Sequence, residues 1–128
     1  METYRNKVRF VSEAELYRKQ FAIAQCEDEN NGNLKIAAAQ AADEMLSIAG
    51  AKAAFTLFTD KNGNTTISGR SYGEVNVQLI LEKFKNGGGH LTMAGALVEK
   101  TDLETAKQQL TQFIDEYLEE ALPESPSK

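Results

Sequence analysis

Between Leu34 and Ala49 the apolar positions Leu34, Ala38, Ala41, Met45 and Ile48 recur every three or four residues. That spacing puts them on one face of an α-helix, which Gly50 would terminate. The face is built largely of alanine, so whatever it packs against must come very close. A flat partner such as a β-sheet permits that, and the rest of the chain supplies candidate strands. Phe21 to Glu27 reads as a short buried strand, followed by a turn cluster at Asp28-Glu29-Asn30-Asn31-Gly32-Asn33. Ala53–Thr59 and Thr65–Ser71 flank Asp60-Lys61-Asn62-Gly63-Asn64. The Asn62-Gly63 pair is a strong hairpin signal, because both residues tolerate positive φ.

Further along, Val77, Ile80, Leu81 and Phe84 share one face of a predicted helix over 74–84, and 94–99 reads as a strand of small residues. Thr101-Asp102-Leu103-Glu104 has the form of a capping box opening a last helix, with Ala106, Leu110, Phe113, Ile114 and Tyr117 as its buried stripe. The order strand, helix, hairpin, helix, strand, helix predicts an α/β sandwich of two or three layers, a mixed β-sheet covered by about three helices. Residues 1–19 are left open, as a connector from an upstream domain or as a first strand and turn. Residues 20–122 form the domain, and 123–128 read as a disordered tail.

Composition narrows the function. A length of 128 residues suits one domain. A net charge of −5 argues against a broad grip on long nucleic acid, which needs many cationic contacts to phosphate. It leaves room for a small anion, which needs one local positive spot. The single histidine and single cysteine leave a metal centre to carboxylates, and no Asp/Glu cluster has the spacing for one. No cofactor is expected in this chain. The apolar runs are too short to cross a bilayer, and the charged start Met1-Glu2-Thr3-Tyr4-Arg5 carries no signal-peptide pattern. Cys26 reads as buried rather than reactive, Met93 and Phe84 as core, and Asp115, Glu116, Glu119 and Glu120 as a solvated helix face.

Two segments could carry chemistry. Gly87-Gly88-Gly89-His90 could offer bare N–H groups as a concave anion nest with a histidine at its rim, or could be a flexible turn. It lacks the Lys-Ser or Lys-Thr of a P-loop. In Ile67-Ser68-Gly69-Arg70-Ser71, strand periodicity puts Ser68 and Arg70 on one side, with Gly69 permitting close approach from the other. A guanidinium fork suits phosphate, although a lone arginine on an edge strand is often merely solvated. Asn76 could contact a base or ribose, or could cap the next helix.

Taken together, Ile67-Ser68-Gly69-Arg70-Ser71, Gly73-Glu74-Val75-Asn76-Val77 and Gly87-Gly88-Gly89-His90-Leu91-Thr92-Met93-Ala94-Gly95 resemble the DHH-associated domain of the DHH phosphoesterase superfamily. The resemblance runs from about residue 12 to residue 121. The Ala-Ala-Gln-Ala-Ala-Asp run at 38–43 points further, to the cyclic-di-AMP phosphodiesterase branch. It implies a C-terminal substrate-binding domain whose upstream Asp-His-His partner domain, in the same polypeptide, binds two manganese ions and cuts the phosphodiester. It also implies that Arg70, Ser71, Gly88, Gly89 and His90 bind phosphate or nucleotide, with Ser68, Asn76 and Gly87 in the same site. Met93 departs from the alanine of many members, and no Asp-His-His sequence occurs here. The expected ligand is a cyclic dinucleotide or a short oligonucleotide, with a homodimer left open. The expected location is a cytoplasmic domain of a parent anchored by upstream membrane helices, and the isolated chain is expected to be inactive. Alternatives are the same domain of a short-oligonucleotide exonuclease, a noncatalytic nucleotide-sensing module, and a structural or dimerising domain.

Overall fold

The computed structural model describes residues 2–27 and 34–121. The turn expected at 28–33 and the tail expected at 123–128 lie outside the described residues. A six-stranded mixed sheet runs in the order β1-β2-β3-β4-β6-β5. Its strands are β1 (Glu15–Tyr17), β2 (Phe21–Glu27), β3 (Ala53–Thr59), β4 (Thr65–Ser71), β5 (Gly87–Gly89) and β6 (Met93–Val98). Among the described residues only β2 and β3 pair in parallel, and α2 (Leu34–Met45) crosses between them.

Side-chain alternation divides the core into two layers. On one face Phe21, Ile23, Phe55, Leu57 and Ile67 pack with α3 (Val77–Leu81) and α4 (Leu103–Ala121). On the other, Ala22, Ala24, Cys26, Ala54 and Phe58 pack with α1 (Glu2–Ser12) and α2. The fold is therefore α/β in three layers, with two helices on each face of the sheet among the described residues. Ala37, Ala38, Ala41 and Ala42 are fully buried, and the small side chains let the Thr56 hydroxyl donate to the Ala38 carbonyl at 2.8 Å. Such close contact is what an alanine face makes available.

Several expectations change. Residues 2–12 form a helix, anchored by the fully buried Phe10, and 15–17 pair with β2. The helix expected over 74–84 spans only Val77–Leu81, because Asn76 is extended and its side-chain oxygen caps Gln78 and Leu79. Val77, Ile80, Leu81 and Phe84 are buried all the same. Helix α4 is capped one residue later than the capping box implies. Asp102 Oδ1 accepts from the Thr105 N–H at 2.8 Å, while the Thr101 hydroxyl turns back to the Glu99 carbonyl. The acidic face of α4 is also engaged: Asp115 accepts from the Tyr17 hydroxyl and pairs with Arg18, and Glu116 and Glu120 pair with Lys83.

Met93 is not core. It is 52% exposed, because the cluster buried under α1 and α2 contains no residue of β5 or β6 among the described residues. One end of the sheet is thus left uncovered on that face.

Candidate functional site

The uncovered area is where the sequence-predicted residues meet. Strand register sets Ser68 opposite Gly95, and Gly95 opposite Gly88. Cross-strand partners face the same side of a sheet, so this row carries nothing larger than one hydroxymethyl across three strands. The next row sets Arg70 opposite Met93. Met93 in turn exchanges backbone hydrogen bonds with His90, at 2.7 Å from the His90 N–H and 3.4 Å from the Met93 N–H. A smooth strip of backbone is therefore bordered by an arginine, a methionine and a histidine. Among the described residues the His90 ring and the Ser68 hydroxyl have no hydrogen-bond partner.

The glycines form neither a concave nest nor a flexible turn. Residues 87–89 are an edge strand paired with β6, so successive amides alternate in direction and the Gly89 N–H turns toward the free edge. The three glycines have different reasons to be there. A Cβ on Gly87 would overlap the Leu81 carbonyl at the end of α3. Gly89 has φ +146°, and a Cβ there would sit 2.6 Å from the Met93 carbonyl oxygen. At Gly88 a Cβ would meet nothing within 4 Å. Packing demands glycine at 87 and 89, whereas at 88 its absent side chain leaves open space over the strip.

Arg70 lies on the α2 side of the sheet. Its Nη1 donates to the Gly69 carbonyl at 2.9 Å, and its Nε lies 3.1 Å from Asp43 Oδ1. The Nε–H does not align with that carboxylate as a hydrogen bond, so the contact is an ion pair only. Across the sheet a Cβ on Gly69 would touch Phe55 at 2.9 Å, which is the close approach expected of that glycine.

Ser71 and Asn76 hold backbone. The buried Ser71 hydroxyl lies 2.7 Å from the Val75 carbonyl and 3.2 Å from that of Leu91, and accepts from the Gly73 N–H. With the Ser71 N–H donating to Thr92 and the Val77 N–H to Leu91, the tip of the 90–93 hairpin is tied to the end of β4 and the start of α3. Asn76 is the cap described above, and its own N–H donates to the Tyr117 hydroxyl at 3.0 Å. These bonds fix the register between two segments some twenty residues apart in sequence.

Sequence reasoning missed Asp43, Gly95 and Tyr72. Asp43 ends the alanine run, and Gly95 closes the glycine-histidine motif; pairing β4 with β6 would have set Gly95 against Ser68. Tyr72 follows Arg70 by two and is 72% exposed.

Clefts of about 430 Å³ beside Arg18 and Asp115 and about 290 Å³ beside Phe84 and Leu97 lie elsewhere. Among the described residues no group of three or more His, Cys, Asp or Glu could hold a metal ion, and no helix is long and apolar enough to cross a membrane.

Comparison with known proteins accords with this architecture. The model of the DHHA1 domain matches residues 18–120. The chain is 40% identical over 116 residues to the cyclic-di-AMP phosphodiesterase PdeA of Listeria monocytogenes, covering 90% of this chain and 17% of that protein. It is 37% identical over 120 residues to the cyclic-di-AMP phosphodiesterase GdpP of Geobacillus thermodenitrificans, covering 94% of this chain and 18% of that protein. The chain thus spans less than a fifth of the length of these curated relatives. Among solved structures, an exopolyphosphatase-related protein from Bacteroides fragilis shares the fold, with a TM-score of 0.72 at 24% identity over 91% of this chain and 36% of that one.

Proposed function

The chain belongs to the DHHA1 domain family, and from that premise we propose that it is the substrate-binding domain of a cyclic-di-AMP phosphodiesterase. The observation that carries the reading is the Ser68–Gly95–Gly88 strip bordered by Arg70 and His90 on an uncovered sheet face. A phosphate can approach bare backbone closely there, with a guanidinium at one side and an imidazole at the other. In this reading Ser68, Arg70, Gly88, Gly89 and His90 face the nucleotide. Ser71, Asn76 and Gly87 hold the backbone that presents them. The high identity to phosphodiesterases named for cyclic-di-AMP supports that substrate over a short oligonucleotide.

An open face binds an anion by itself, and holds it more tightly once something covers it and excludes water. The covering part would be a separate Asp-His-His domain of the same polypeptide, which by the resemblance would hold two manganese ions and supply the activated water for hydrolysis. The residues of this chain fix the scissile phosphate in place, a contribution of positioning. The isolated chain would bind without cutting, and it would stand in the cytoplasm as part of a membrane-anchored parent.

The test is hydrolysis of cyclic-di-AMP by the full-length parent enzyme with manganese, comparing wild type with Arg70→Ala and His90→Ala. Each variant is expected to lose about a hundredfold in rate, the scale for removing one preorganised donor. Unchanged rates in both would overturn the assignment. Faster cleavage of a linear dinucleotide than of the cyclic one would turn the reading toward a short-oligonucleotide exonuclease.

A further inference from the structure

Tyr72 is 72% exposed, and its ring contributes little to either core layer. It stands two residues after Arg70, just past the end of β4, and both side chains reach the same end of α2. Arg70 meets Asp43, and the Tyr72 hydroxyl donates to the Leu46 carbonyl at 3.4 Å, about one helical turn on. The ring is therefore tethered at its tip on the arginine side of the sheet, while the rest of it remains open. Gly73 follows with φ +113°, turning the chain away toward the Ser71–Val75 bond that closes this corner.

From this we propose that Tyr72 is the base-contacting residue of the site, a stacking surface for the nucleobase whose phosphate is held by Arg70. The proposal rests on the phosphate reading above and adds the recognition of the base. Residues two apart along an extended chain are separated by about 7 Å, comparable with the reach of a ribose between its phosphate and its base. A flat π-face takes a purine by stacking, and the tether limits the entropy lost when it does so. Gly88 and Gly95 offer no ring, Met93 no plane, and the phosphate reading already uses the exposed His90 ring, so Tyr72 is the aromatic group left for the base.

The chain contains no tryptophan, so Tyr72→Trp introduces a single fluorescent reporter at the stacking position. AMP is expected to quench that fluorescence saturably, and ribose 5-phosphate is expected to leave it unchanged. In the 128-residue chain followed by NMR, Tyr72→Ala should weaken AMP binding about tenfold, the scale of one base–aromatic stack, while binding of ribose 5-phosphate stays as in wild type. Tyr72→Phe should retain AMP binding, because the ring is kept. AMP binding that depends on Arg70 but is the same in wild type and Tyr72→Ala, with no quenching of the tryptophan, overturns this proposal and leaves the phosphate reading standing. AMP binding that is absent or indifferent to Arg70→Ala overturns both.

Discussion

Arg70 Nε lies 3.1 Å from Asp43 Oδ1, joining the strand that carries the candidate phosphate ligand to the last full turn of the alanine helix. Asp43 is well exposed and Arg70 is largely covered, so the pair contributes little to stability, about 0–1 kcal/mol after solvent screening. Its role in this account is to orient the guanidinium. Asp43→Asn should leave the midpoint of urea unfolding almost unchanged and weaken AMP binding several-fold. A carboxylate acting only by repulsion gives the opposite sign, tighter binding on its removal. Calorimetric titration of the two proteins decides between them.

The three glycines should respond differently to alanine. Gly87→Ala drives a methyl into the Leu81 carbonyl, and Gly89→Ala combines a left-handed φ with contact to Met93. Each should cost about 2 kcal/mol or more in unfolding free energy. Gly88→Ala meets nothing in the folded chain and should stay within about 0.5 kcal/mol of wild type. Its effect should appear in ligand binding, because the added methyl occupies the strip. Denaturant unfolding and AMP titration of all three separate fold from site.

Ser71→Ala removes the hydroxyl that ties β4 to the Val75 and Leu91 carbonyls. The hydroxyl has one proton to give and the shorter contact is to the buried Val75 carbonyl, so leaving that carbonyl without its partner should cost about 1–3 kcal/mol. Amide exchange should accelerate first at Leu91–Met93, where the hairpin tip loses one of its anchors.

Burial, and then the Asp115 carboxylate that accepts its hydroxyl, hold the Tyr17 phenol above its ordinary range. The sign follows from linkage: the folded chain favours the protonated phenol, so its contribution is fully present below the unfolded pKa. It is lost as pH rises through the folded one. Stability should therefore fall more steeply in wild type than in Tyr17→Phe above about pH 10. Unfolding curves taken across that range check it.

Legibility in the sequence followed the strength of the local signal. Strands β2, β3 and β4 have the expected bounds, because alternation and the Asn62-Gly63 turn act within a few residues. The start of α3 departs from the sequence expectation because the Val75 carbonyl is held by Ser71 and Asn76 is extended, contacts that form only in the folded chain. Helix α1 carried little signal, since Phe10 is its one fully buried side chain among the described residues while Tyr4 and Val8 are exposed. Met93 looks like core in sequence. Only the lateral extent of α1 and α2, a property of the assembled layers, reveals that nothing covers it. The candidate site was legible as motifs but not as a surface: Ser68, Gly95 and Gly88 become neighbours only through the β4–β6–β5 register.

In the proposed function this face takes a nucleotide through its phosphate. Titrating the 15N-labelled chain with the linear dinucleotide product of cyclic-di-AMP, and following amide shifts, tests it directly. Saturable shifts centred on Ser68, Arg70, Gly88, Gly89 and His90 are expected, lost together in Arg70→Ala. Shifts centred on the cleft beside Arg18 and Asp115, or a titration indifferent to Arg70→Ala, would contradict it.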